Sequence, residues 1–175
     1  MEAKELMEKA VRFHGHICPG LAIGVLAAKY LLEHGFVYAP NEELVAIVEN
    51  DNCSIDALQV LLGITFGKGN LIHQDYGKNN YSFYDRRTEK GVKLAIKSKE
   101  FSSKNLSRDD RIQKLLKSKP ENIFNIYEIE YNPPGLAQIE DSVPCDICGE
   151  PVQNSRLMTY NNSEMCIPCY KKTRG

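Results

Sequence analysis

The chain has 175 residues, of which 42% are hydrophobic and 26% charged, with a net charge of −1 and a mean hydropathy of −0.39. Such a chain can bury one ordinary globular core plus a small appendage, and no apolar run reaches the roughly eighteen residues that a membrane span needs. The stretch from Met1 to Lys9 is charged and amphipathic, without a signal-peptide core, so a cytoplasmic protein is expected.

Charge is unevenly spread along the chain. Residues 1–85 carry six Lys/Arg against eleven Asp/Glu, residues 86–119 twelve against four, and residues 120–175 four against eight. The basic middle suits a solvated face, and it also supplies the charge that a phosphate backbone would require.

Leu6, Met7, Ala10, Val11 and His14 recur at helical spacing and predict an amphipathic helix over residues 2–13. Pro19 opens a second, mostly apolar helix that runs to about His34, with Cys18 at its N-cap and Gly35 closing it. Gly20, Gly24 and Ala28 leave a small-residue face on that helix, open to a second backbone and suited to a homodimer. Leu44 to Val48 reads as a buried strand, and a third helix follows, capped by Asn52 or Cys53, with Ile55, Leu58, Leu61 and Leu62 on one face.

Leu71 to Asp75, Tyr81 to Arg86 and Val92 to Ile96 alternate as strands of a meander do, a helix capped by Ser107 runs to the Lys119-Pro120 break, and Ile123 to Tyr131 forms a last strand. Asn132-Pro133-Pro134-Gly135 marks a domain exit, giving residues 1–135 as an α+β or α/β core in three layers and residues 136–175 as a small second domain.

The cysteines carry the chemistry. Cys145 and Cys148, and Cys166 and Cys169 after seventeen intervening residues, form two C-x2-C pairs whose spacing fits a closed four-cysteine zinc site, structural because no ligand position is left open. His16, Cys18 and Cys53 form a second constellation. Both thiols are expected at helix starts, where unpaired amides and the helix dipole favour thiolate, and one imidazole with two thiolates would hold zinc or another divalent metal and leave a fourth position open. His14 is expected behind these ligands or on the inner face of the first helix. Gly67-Lys68-Gly69 does not have P-loop spacing, so Lys68 and Lys78 are at most point charges at an anion-binding turn.

The strings Phe13 to Ala28, Glu49 to Gln59, Thr65 to Leu71 and Asp75 to Lys78 closely resemble the FmdE family of formylmethanofuran dehydrogenase proteins, and the four-cysteine tail resembles the zinc-finger extension that some members carry. The resemblance implies a thioredoxin-like α+β core with a five-stranded mixed sheet, a treble-clef zinc finger, and a metal-binding active site at His16, Cys18 and Cys53. It also implies association with the molybdenum or tungsten enzyme of anaerobic one-carbon metabolism such as methanogenesis, without assigning the family member itself a reaction or a small-molecule substrate. Two other readings compete: a nucleic-acid-binding regulator using residues 86–119 and the zinc finger, and a thiol redox protein using Cys18 and Cys53.

Overall fold

The computed structural model describes residues 2–97 and 106–174, in two compact units, Met1–Ala137 and Gln138–Gly175. The basic segment expected over 86–119 lies partly outside the described residues, at 98–105.

In the first unit, helix α1 (Ala3–His14) buries Ala3, Leu6, Met7 and Ala10 and ends at Gly15, whose φ of +91° lets its N–H turn back to the Val11 carbonyl at 2.7 Å. Helix α2 (Pro19–Glu33) is buried from Leu21 through Ala28, as a helix apolar on most sides must be. It ends in a Schellman turn, with Gly35 at φ +86° and the Phe36 N–H donating to the Leu31 carbonyl at 3.0 Å.

Strand β1 (Leu44–Val48) leads into helix α3 (Ser54–Leu62), which delivers strand β2 (Leu71–His73) parallel to β1. Strands β3 (Asn80–Asp85) and β4 (Lys90–Ile96) follow as a hairpin, then helices α4 (Arg108–Lys117) and α5 (Pro120–Ile123), and strand β5 (Phe124–Ile129). The result is a five-stranded mixed sheet in the order β2-β1-β3-β4-β5, parallel at β1–β2 and antiparallel elsewhere. The meander expected from the sequence is thus corrected at its first strand. β2 joins the far side of β1 through a β-α-β crossover, because the nine-residue helix α3 lies between the two.

Tyr81, Phe83, Val92 and Leu94 are buried and share one core with Leu21, Leu26, Leu58 and Leu62 of the helices, while Ser82, Tyr84 and Lys93 on the other side are half-buried. That alternation gives the sheet one face under the helical layer and one half-open face, in place of the three layers the sequence suggested. Two glycines of the small-residue face of α2 are met within the chain: Gly20 lies against Cys53 and Gly24 against Ser54 and Ala57 of α3.

The second unit holds two hairpins and a helix. Strands β6 (Ser142–Pro144) and β7 (Pro151–Gln153) flank the Cys145–Cys148 turn, and β8 (Met158–Tyr160) and β9 (Ser163–Met165) are joined by Asn161 and Asn162, both at positive φ as a tight hairpin demands. Helix α6 (Ile167–Arg174) closes it. Among the described residues its buried side chains are Cys145, Met165 and Cys166, too small an apolar core for burial alone to hold.

Candidate metal centre

The end of α1 and the starts of α2 and α3 meet at one point. There, ligand atoms of His14, His16, Cys18 and Cys53 all lie within 4.8 Å of one another. The three residues expected from the sequence come together, and His14 joins them as a fourth donor. The candidate donor set is thus two imidazoles and two thiols, one donor more than the sequence reading named.

Each element has a local reason for pointing there. Cys18 is the N-cap of α2, with extended backbone, and its sulfur accepts the Leu21 N–H at 3.3 Å. His14 directs Nε2 to 3.9 Å from that sulfur, while its Nδ1 is held 2.7 Å from Oδ2 of Asp56 on α3. A carboxylate behind a histidine fixes the ring's orientation and makes the opposite nitrogen a better ligand. With ordinary bond lengths to a tetrahedral ion, a thiolate sulfur and an imidazole nitrogen sit about 3.6 Å apart, so the His14–Cys18 pair fits a shared ion with little movement.

Cys53 differs from expectation. It precedes α3 with helical φ and ψ of −53° and −21°, and its side chain caps nothing; the Asn52 side-chain oxygen takes the Ser54 N–H at 3.0 Å instead. Burial, then the hydrogen bond and charge of the neighbouring Cys18 sulfur, push the Cys53 thiol up rather than down. The loop that carries it is held from beneath. Tyr81, fully buried and pushed up to about 12 by burial, meets Ser54 Oγ at 2.7 Å, and Ser54 donates to Asn52 at 2.6 Å.

In the second unit, ligand atoms of Cys145, Cys148, Cys166 and Cys169 also cluster within 4.8 Å, with the Cys148 and Cys166 sulfurs 3.9 Å apart. Tetrahedral coordination by sulfur requires about 3.8 Å, so this set fits a four-thiolate ion. The Cys148 and Cys166 backbone N–H groups bring the Cys145 thiol down to about 6, while its hydrogen bond to Cys166 raises Cys169 to about 12. Gly149, at φ +73°, makes the turn behind the first pair.

Comparison with known proteins fits this pattern. Residues 13–130 match the family described as FmdE, molybdenum formylmethanofuran dehydrogenase operon, and all four core donors fall inside that span. The chain belongs to the FmdE family. A protein of Archaeoglobus fulgidus described as a probable S-adenosyl-L-methionine-binding protein is 29% identical over 94% of this chain, and the chain spans about half, 52%, of that relative's length. The crystal structure of a tungsten formylmethanofuran dehydrogenase FmdE-like protein from Syntrophus aciditrophicus has a similar fold, with a TM-score of 0.70 and 24% identity over 99% of this chain and 94% of that one.

Beside the core cluster of this FmdE-family chain lies a cleft of about 390 Å³ that shares His14 and Cys53 with it. It opens past the C-terminal ends of the parallel strands β1 and β2, where open α/β sheets place their ligands. Val48, Ile55 and Leu71 supply apolar surface and Asn50, Asp51, Asn52, Gln59 and His73 polar groups, with Phe66, 76% exposed, at the rim.

Neither lysine considered for anion binding lines the cleft. The Lys68 ammonium donates to the carbonyls of Ala39 at 2.9 Å, Asn41 at 3.1 Å and Pro40 at 3.2 Å, and to that of Gly63. With its protons spent on carbonyls Lys68 is a loop tie, and the anion-site expectation is corrected for that residue. The Lys78 backbone N–H donates to the Glu49 carbonyl at 2.9 Å; burial would raise the Glu49 carboxyl, but hydrogen bonds from Lys93 and Asn80, with a smaller contribution from the Lys78 charge, hold it down.

Proposed function

We propose that the chain is a metal-handling accessory protein of formylmethanofuran dehydrogenase-type one-carbon metabolism. In this reading His14, His16, Cys18 and Cys53 hold a working divalent ion, zinc being the first choice for such donors, and Cys145, Cys148, Cys166 and Cys169 hold a structural zinc. The observation that carries it is the juxtaposition of a four-donor cluster, with His14 already oriented by Asp56, and a cleft large enough for a small molecule. When bound, the ion would supply Lewis acidity at the cleft wall. The chain's own part is to fix His14 through Asp56, to fix the Cys53 loop through Asn52, Ser54 and Tyr81, and to present amide and carboxylate groups to the occupant. Within this reading the core is a thioredoxin-like variant and the second unit a treble clef, supported by the mixed sheet and by ligands at one knuckle and one helix start.

The test is metal counting on the purified full chain, followed by addition of the loaded protein to a metal-depleted molybdenum or tungsten formylmethanofuran dehydrogenase. Two equivalents are expected for the natural sequence and one for Cys18→Ser/Cys53→Ser, with stimulation of the enzyme by the former alone. One equivalent in both proteins, or equal stimulation by both, would overturn the proposal.

The cleft also favours a second reading. Its lining includes Asp51 and Asp56 and, among the described residues, no Lys or Arg, which suits a cation such as the sulfonium of S-adenosyl-L-methionine, the ligand in the Archaeoglobus relative's description. Calorimetric titration with that compound should show binding weakened by Asp51→Asn and Phe66→Ala; an absence of heat sinks this reading.

A further inference from the structure

We infer that His16 is the exchangeable ligand of the core centre, and that the donor replacing it is a neutral or cationic small molecule. The inference rests on the reading that the core cluster holds a metal ion.

Three of the four donors are fastened. His14 belongs to the last turn of α1 and is anchored by Asp56 at 2.7 Å. Cys18 is only 6% exposed and accepts an N–H from the first turn of α2. The Cys53 Cβ would stand 3.2 Å from a Cβ built on Gly20, so its stem is pressed against α2.

His16 is held by much less. It sits outside both helices, after Gly15, whose αL turn has nothing within 4 Å of an added Cβ. Its side chain is exposed, its ring meets that of His14 at a centroid distance of 4.4 Å, and among the described residues it has no hydrogen-bond partner. A ligating histidine normally donates its other ring N–H to a carboxylate, carbonyl or water that fixes tautomer and orientation. His14 has that support from the protein and His16 lacks it, so His16 leaves with the least loss of protein contacts, and it leaves on the solvent side.

Charge then selects what replaces it. A divalent ion with two thiolates is neutral as a unit; around it, Asp56 behind His14 and exposed Asp51 two residues before Cys53 supply two negative charges, against the one positive charge of the Arg108 guanidinium, 2.9 Å from the Ile17 carbonyl. An incoming anion would add a third negative ligand in front of two carboxylates. A neutral nitrogen or thioether donor, or an amine carrying positive charge elsewhere, avoids that repulsion.

The test uses the full chain loaded with Co(II) and read by its optical spectrum, with the spectrum of Cys18→Ser/Cys53→Ser subtracted to remove the four-cysteine site. His16→Ala should keep the thiolate-to-cobalt bands with affinity reduced about tenfold or less, against about a hundredfold for His14→Ala. Imidazole should return the His16→Ala spectrum to that of the natural sequence, and azide at equal concentration should not. The assignment is overturned if His16→Ala loses cobalt as fully as His14→Ala, if imidazole leaves its spectrum unchanged, or if azide acts as well as imidazole. Circular dichroism checks folding, and His16→Gln replaces the alanine variant should that one fail to fold. A natural-sequence protein with no core cobalt bands would instead overturn the underlying metal reading, so the two failures are told apart.

Discussion

A Cβ placed on Gly24 would stand 2.2 Å from the carbonyl oxygen of Ser54 and 2.9 Å from the Ala57 Cβ. The backbones of α2 and α3 are in contact there, and this contact sets where Cys18 and Cys53, at the starts of those helices, lie relative to each other. Backbone cannot yield as a flexible side chain does, so Gly24→Ala should cost about 3 kcal/mol through overpacking. It should also lower core metal occupancy with the four-cysteine metal retained. Thermal melting with metal counting checks both. A melting temperature within a degree or so of the natural sequence would show the contact to be loose.

Asp56→Asn should reduce core metal affinity about tenfold to a hundredfold, because an amide can still hold the His14 ring but lends it no charge. Chelator competition measures this. The amide variant should fall between the natural sequence and Asp56→Ala; if all three bind alike, the 2.7 Å contact has no part in ligation.

Chelation should unfold residues 138–175 while leaving the core folded, since three buried side chains cannot hold the second unit without an ion. Limited proteolysis after chelator treatment should leave a core fragment ending near residue 137. Equal protease resistance with and without chelator would count against a structural metal.

Stability should decline in acid through Asp85. Burial alone would raise this carboxyl, but the Arg87 guanidinium outweighs it, with contacts of 2.8 and 3.0 Å, and holds the group below its ordinary value. The depressed group stabilises the fold above the unfolded value of about 3.9, and that contribution is lost as pH falls through the folded value. Denaturant titrations below pH 5 should therefore show a shallower acid decline for Asp85→Asn. Parallel declines would place the acid sensitivity elsewhere.

Lys68→Met should destabilise the loop between α3 and β2 by about 2–3 kcal/mol, since carbonyls that now accept from an ammonium would lose their donor. Urea denaturation reads the loss. A change under about 0.5 kcal/mol would mean water replaces the ammonium freely.

Much of this arrangement is legible locally. Pro19 after Cys18 announces an N-cap, five consecutive apolar residues announce β1, and the C-x2-C pairs announce their own cluster. His14 is harder to place. At helical spacing it reads as the last residue of the α1 stripe, and its partner Asp56 reads as a first-turn carboxylate of α3; both local readings are correct, yet the contact between them spans forty-two residues and no period reveals it. A clue lies in the two histidines around Gly15, a residue able to reverse the chain between them. The place of β2 is hidden for a related reason: strand pattern gives a strand's faces and not its neighbour, and its position beside β1 is fixed by the crossover through α3. The glycines around Lys68 suggest an anion-binding turn, whereas the role of its ammonium depends on carbonyls near residue 40.

The core donors run from residue 14 to residue 53 and tie together three helix termini. A bound ion would thus act as a reversible cross-link, closing that length of chain and removing conformations from the unfolded ensemble, much as a bridge of two sulfurs does. Occupancy and resistance to heat are then one linked equilibrium. Cells short of the ion would hold a chain whose N-terminal helices open more often, and metal supply would set this protein's lifetime as well as its chemistry.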